Sequence, residues 1–214
     1  MRWTASDISV VSISYGPYWD SWSEQFFATT GSLDPRPAKI ILCTDVPREC
    51  PDWIVNVVLG VDRPMMAYYN RAVEEVETEW TWGVGFDDLI EVSAFLPFES
   101  DADIHGHPEH MSDGGYCKYA GGYEQMHLGG PNPMVGSFFH RTALLREIPW
   151  PELDFGDWCQ FASCAAAGKT LSFEDRPIAT WTRHSESASL QWNPSGIQEV
   201  WDWLAALNVA VPSP

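Results

Sequence analysis

Short β-branched runs alternate with longer amphipathic segments over the first 88 residues, and this alternation restricts the fold more than any other feature of the chain. Ile8-Ser9-Val10-Val11-Ser12-Ile13-Ser14-Tyr15 is a buried-strand pattern that stops at Gly16-Pro17. From position 19 to 30, Trp19, Trp22, Phe26 and Phe27 recur at helical spacing. Strands are predicted over 38–44, 53–59 and 80–86. Met66, Tyr69, Ala72, Val73 and Val76 mark one face of a helix over 65–80. The order β-α-β-β-α-β predicts an α/β fold with a mainly parallel sheet flanked by helices. Such sheets bind ligands outside the carboxyl ends of their strands. Tyr15-Gly16, Thr44-Asp45 and Asp87-Asp88 all fall at such ends.

The rest of the chain is less periodic. Residues 99–136 are rich in Gly, His, Asp and Tyr and read as long loops. A strand is predicted over 134–139, a helix over 157–168 capped by Gly168, a strand over 169–173 and an amphipathic helix over 197–207. With no internal repeat and no linker, the expectation is one domain spanning 1–214.

Composition excludes several functions. Lys and Arg number 12 against 30 Asp and Glu, a formal charge of -18. A surface so acidic repels phosphate backbones and argues against nucleic acid as a partner. No apolar run approaches the ~20 residues of a membrane span, so membrane insertion is not expected. The N-terminus lacks a basic start followed by an apolar core, and the five cysteines form no CxxC pair. A cytoplasmic protein with free thiols is the expectation.

Two acidic residues at a strand end, Asp87-Asp88, suit a hard cation such as Mg²⁺ or Mn²⁺, which reaches a diphosphate through one or two carboxylates. A solvated turn is the alternative. Asp157 at a helix start reads equally as an N-cap. His105, His107 and His110 lie in a segment without periodicity and are expected on a solvated loop. Gly114-Gly115, Gly121-Gly122 and Gly129-Gly130 match no phosphate-binding glycine motif.

Taken together, these segments resemble the GT-A glycosyltransferases of the family 2 type, which use nucleotide-sugar donors. Ser14-Tyr15-Gly16-Pro17-Tyr18 matches the turn that meets the nucleotide, and Asp45 stands where an acidic residue contacts base and ribose. Tyr69-Asn70-Arg71-Ala72 resembles the family's Arg-Asn-x-Gly helix, and Gly85-Phe86-Asp87-Asp88 its Asp-x-Asp-Asp strand end. Gly85 replaces the first Asp, and Asp87 is the metal-binding second one. Gly136-Ser137-Phe138-Phe139-His140-Arg141 resembles a strand beside the acceptor, and Phe155-Gly156-Asp157-Trp158 the segment that carries the catalytic base. There Gly156 replaces a Glu and leaves Asp157. Thr182-Arg183-His184 resembles an ending whose His completes the metal site.

The resemblance implies a GT-A fold with a nucleotide-binding half over about 1–98 and an acceptor half over about 99–214. It implies Ser14, Tyr15, Gly16, Tyr18, Asp45, Asn70, Arg71, Phe86 and Asp87 at the donor, and Asp87 and His184 at a divalent Mn²⁺ or Mg²⁺. Asp157 is the implied base, with Gly136, Ser137 and Trp158 toward the acceptor. The implied reaction moves a sugar from a nucleoside-diphosphate donor to a hydroxyl of a glycan, protein or small molecule, with inversion. Because Gly85 and Gly156 each replace an acid, a protein that binds such ligands without turnover is the rival reading.

Overall fold

The computed structural model describes residues 1–117, 136–153, 156–185 and 194–207. The expected glycine pairs at 121–122 and 129–130, and part of the strand predicted over 134–139, lie outside them. The first half runs β1 (Arg2–Trp3), β2 (Ile8–Ser14), α1 (Tyr18–Gly31), β3 (Lys39–Thr44), β4 (Val55–Val58), α2 (Met65–Glu74) and β5 (Trp80–Gly83). Next come β6 (Leu89–Ile90), β7 (Phe98–Glu99), β8 (Ile104–His107), β9 (Glu109–Met111) and β10 (Tyr116–Cys117). The chain continues with β11 (Ser137–Arg141), α3 (Thr142–Glu147), α4 (Gly156–Ala166), β12 (Leu171–Phe173), β13 (Ala179–Trp181) and α5 (Pro194–Ala206).

A seven-stranded sheet in the order β12-β8-β11-β5-β2-β3-β4 forms the centre. Every neighbouring pair is parallel except β11, which runs against both β5 and β8. The chain steps outward from β2 through β3 to β4 and returns on the other side of β2 as β5. That reversal opens a crevice at the carboxyl ends of β2, β3 and β5. A smaller sheet, β10-β9-β13-β6, carries the segment after β5 and the approach to His184.

β2 is central because every residue of Ile8–Ser14 is buried, as its β-branched run requires of a strand covered on both faces. Val10 joins Phe26 of α1 and Trp82 of β5 on one face. Val11 and Ile13 join Tyr68, Ala72 and Val76 on the other. Two of its three serines are satisfied: Ser12 Oγ donates to the Val84 carbonyl at 2.9 Å, and Thr78 Oγ1 donates to Ser9 Oγ at 2.8 Å. α2 stops at Glu74, short of the predicted 80, because the Glu75 and Val76 amides turn back to Ala72 and Val73 and release the chain into β5.

Residues 104–111 depart from the loop expectation. Ile104–His107 is a buried strand of the main sheet, paired with both β11 and β12. His105 and His107 are 3% and 0% exposed, so neither is solvated, and only His110 faces out.

Candidate functional site

The crevice begins at the turn after β2. Asp45, one residue past β3, accepts the Gly16 amide at 2.9 Å on Oδ2 and the Val46 amide at 2.9 Å on Oδ1. The Arg48 guanidinium reaches the same Oδ1 at 3.3 Å. Burial alone would raise this carboxyl, but those donors outweigh it and hold it below the usual carboxylate range. Beside it Tyr15 stacks between Tyr68, at 5.4 Å between ring centroids, and Tyr18, at 6.2 Å. The result is a flat aromatic wall with a fixed negative charge at its foot, a surface suited to a base and the hydroxyls of a ribose.

At the end of β5, Asp87 Oδ2 lies 2.7 Å from His184 Nε2, and the two side chains are 15% and 16% exposed. Gln25 of α1 donates to the Asp87 carbonyl at 2.9 Å and fixes this turn against the helix. Trp22 packs against the His184 ring at 4.8 Å and Tyr18 approaches it at 6.1 Å, so nucleotide wall and acidic end share a boundary. Asp88 turns inward and accepts the Thr182 amide at 2.9 Å. Burial, then the charges of Asp87 and Glu109, push its carboxyl well above the ordinary value. Glu109, itself raised by burial, accepts Ser137 Oγ at 2.6 Å. One part-buried carboxylate and one imidazole nitrogen at the crevice suit Mg²⁺ or Mn²⁺, which complete their shells with substrate phosphate oxygens and water. Asp87 and His184 are the residues to hold such an ion.

Asp157 lies within the first turn of α4, so it is not the cap residue itself. Burial pushes its carboxyl up, while the Trp158 amide pulls it down. Its link to the rest of the site is Tyr69, whose hydroxyl donates to the Val84 carbonyl at 3.1 Å. Burial raises that phenol first, and the ionisable groups of Asp88, Asp87, Tyr15 and Asp157 add to the shift. In the sequence Tyr69 belongs to the apolar stripe of α2 and opens the Tyr69-Asn70-Arg71-Ala72 segment, and neither pattern assigns its hydroxyl to the site.

Several predicted positions serve the fold instead. Phe86 is 1% exposed and packs on Phe26 at 4.8 Å, so its side chain cannot reach a donor; it belongs to the core. Ser14 is 1% exposed and offers the crevice only backbone. Asn70 uses both ends of its amide on the Trp150 backbone, at 2.8 and 3.1 Å. Arg71 pairs with Glu74 and Glu75 along α2 at 3.0 and 2.8 Å. Trp158, expected at the acceptor, is 6% exposed and packs edge-on against Trp201 at 5.5 Å. Gly136 enters β11 at φ +124 against the His107 carbonyl, and Ser137 is spent on Glu109.

A sheet reversed at β2, an acidic turn after β5 and a crevice walled by tyrosines define the GT-A glycosyltransferase fold. No protein-family model matches the chain, and no curated protein matches it in sequence. The similarity is to solved structures. S. aureus TarS 1-349 in complex with UDP-GlcNAc superposes on 97% of this chain and 68% of its own, with TM-score 0.73 at 17% identity. For S. aureus TarS in a longer form the shares are 96% and 40%, with TM-score 0.66 at 15% identity. The mannosyltransferase PcManGT from Pyrobaculum calidifontis, in complex with GDP-Man and Mn²⁺, covers 95% of this chain and 70% of its own, with TM-score 0.57 at 10% identity. At these identities the likeness is one of fold.

Proposed function

We propose that this protein is a metal-dependent glycosyltransferase that moves a sugar from a nucleoside-diphosphate donor to an acceptor hydroxyl with inversion. The observation that carries the reading is the Asp87–His184 pair at 2.7 Å, set at the mouth of a GT-A sheet beside Asp45 and the tyrosine wall. The bound UDP-GlcNAc of TarS and the GDP-Man and Mn²⁺ of PcManGT support a nucleotide sugar and a divalent ion as ligands.

Asp45 and the Tyr15–Tyr18 face receive base and ribose and leave the diphosphate over the β5 turn. Asp87 and His184 would hold a divalent ion, which would supply positive charge against the charge that builds on the leaving diphosphate. Asp157 takes the proton of the acceptor hydroxyl as its oxygen bonds the anomeric carbon and the bond to the diphosphate breaks on the opposite face. A carboxyl raised by burial is the stronger base, which suits that task. A single domain acting on a glycan, protein or small-molecule acceptor completes the proposal.

Asp157→Asn tests it. The substitution keeps the size of the side chain and removes proton acceptance. Transfer is expected to fall by roughly 10²–10⁴-fold, with donor affinity retained in calorimetry. An active Asp157→Asn variant removes Asp157 from the role of base. A glycine at both 85 and 156 favours the rival reading, a binder without turnover. Donor bound with Mn²⁺ but never consumed, across a panel of nucleotide sugars and acceptors, would select it.

A further inference from the structure

Away from the crevice, the main sheet buries a second set of metal-ligating side chains. His105 and His107 project from the same face of β8, and Glu174 follows β12, which pairs with β8. One ligand atom from each of the three lies within 4.8 Å of the others. A cavity of about 400 Å³ opens onto His105 and Glu174 between Arg2, Phe98, Glu99 and Phe173. None of these residues belongs to the site proposed for glycosyl transfer.

The hydrogen bonds of the two imidazoles are informative. His107 Nδ1 lies 3.1 Å from the Arg176 carbonyl, which can only accept, so Nδ1 carries the proton and Nε2 the lone pair. His105 Nδ1 meets Ser172 Oγ at 2.7 Å, and Ser172 in turn meets Ser100 Oγ at 2.9 Å. Both Nε2 atoms are buried and, among the described residues, have no hydrogen-bond partner, and their rings lie 4.7 Å apart at 85°. A buried ring nitrogen left unpaired costs its full desolvation, which a bound ion would relieve. A ring nitrogen fixed by an outer partner while the other points at open space is the arrangement that metal-binding histidines adopt.

Glu174 Oε2 lies 3.7 Å from His105 Nε2, and its side chain is 40% exposed. Arg176 Nη2 donates to Glu174 Oε2 at 3.1 Å, and its Nε stands 3.0 Å from Oε1 as an ion pair without a hydrogen bond. Binding an ion through Oε2 would therefore exchange that hydrogen bond for the metal while the carboxylate stays ion-paired to the guanidinium. Tetrahedral ligands bonded at about 2.0–2.2 Å stand about 3.3 Å apart. Glu174 is the most exposed of the three and the member best placed to adjust toward an ion, while the two histidines are carried on a strand of the sheet.

We infer that His105, His107 and Glu174 form a binding site for a borderline transition-metal ion, of which Zn²⁺ is the best match, with a fourth position open to the cavity. Two imidazoles and one carboxylate select such an ion over Mg²⁺. Three protein ligands with one open position is the pattern of zinc sites that bind water or a small ligand.

The test is a Zn²⁺ titration of the full chain against a chromogenic chelator, in an Asp87→Ala background that removes the expected ion of the crevice. One equivalent of Zn²⁺ is expected to bind. His107→Gln should weaken it at least tenfold. Glu174→Gln should do the same, and because that side chain is partly exposed and Gln keeps an oxygen for Arg176, the fold is expected to survive. Co²⁺ in place of Zn²⁺ should give the visible absorption of a low-coordinate site, bleached in Glu174→Gln. No zinc bound by the Asp87→Ala chain, or the same affinity in the Glu174→Gln chain, overturns the assignment. Neither result bears on glycosyl transfer, so this inference and the proposed function stand or fall separately.

Discussion

Gly85 and Gly156 show how single positions shape the crevice. A Cβ at 85 would fall 2.5 Å from Asp88 Oδ2 and 2.8 Å from Asp87 Oδ1, because both carboxylates fold back over the glycine. A Cβ at 156 would strike the Pro151 carbonyl and lie 2.6 Å from Met66 Cγ. Each glycine therefore permits a close approach that an acidic residue would block, and writing the family's acid back is not a repair. Gly85→Asp should add a third carboxylate to a pair whose inner member is already pushed well above its ordinary pKa by burial and by the charges of Asp87 and Glu109. Calorimetry with Mn²⁺ and a nucleoside diphosphate is expected to show weaker binding in Gly85→Asp than in the parent. Tighter binding would mean that the Asp87–Asp88 turn opens freely to make room.

At the scale of the element, β11 carries an unusual burden. His140 on this strand is 4% exposed, and among the described residues neither ring nitrogen has a hydrogen-bond partner. It packs against Phe161 at 5.5 Å and Trp150 at 5.7 Å. Burial lowers its pKa from 6.5 to about 4. The unfolded chain therefore takes up a proton that the folded chain refuses. The stability involved is present above pH 6.5 and is lost as pH falls toward 4. That span corresponds to about 3 kcal/mol. His105 and His107 act in the same direction, so the comparison must be with a variant. In urea melts, His140→Phe is expected to lose less stability than the parent between pH 7 and pH 4. Parallel pH profiles would show that His140 titrates as freely in the fold as outside it.

The same strands mark where pattern reading succeeds. β2, β3 and β5 are legible because a strand buried on both faces must be apolar nearly throughout. α1 is legible for its aromatic spacing, and α4 for its ending, where the Gly168 and Lys169 amides return to Ala165 and Cys164 at 3.0 Å each. β8 is not legible, since Ile-His-Gly-His has neither β-branched enrichment nor alternation and is set only by its partners β11 and β12. Asp45 and Asp87 stand out as acids at strand ends. Phe86 and Trp158 enter the implied site only through the motifs that resemble the family's, and such a resemblance does not say which way a side chain points. Tyr69 shows the converse, a residue whose place in the site depends on four partners distant in sequence.

Over the whole molecule, the crevice joins distant parts of the chain. Asp88 bonds Thr182 across 94 positions, and Asp87 meets His184 across 97. A ligand seated on Asp45, Asp87 and His184 would thus touch the ends of β2, β3 and β5 together with the segment after β13. If these parts unfold as one unit, ligand binding should raise a single transition rather than split it. At about 100 times its dissociation constant, a ligand that binds only the folded state stabilises it by about 2.7 kcal/mol. For a chain of this length each kcal/mol moves Tm by roughly 2–4 °C. A nucleoside diphosphate with Mn²⁺ should therefore raise Tm by about 5–10 °C. EDTA should remove most of that rise, because the diphosphate then faces the acidic turn without a cation. Asp87→Ala should remove it even with Mn²⁺ present. UDP and GDP tested side by side would report which base the Tyr15 wall and Asp45 prefer. An equal rise in Mn²⁺ and EDTA would sink the metal-bridged arrangement. A ligand shift confined to one of two separate transitions would show that the halves joined at Asp87 and Asp88 fold independently.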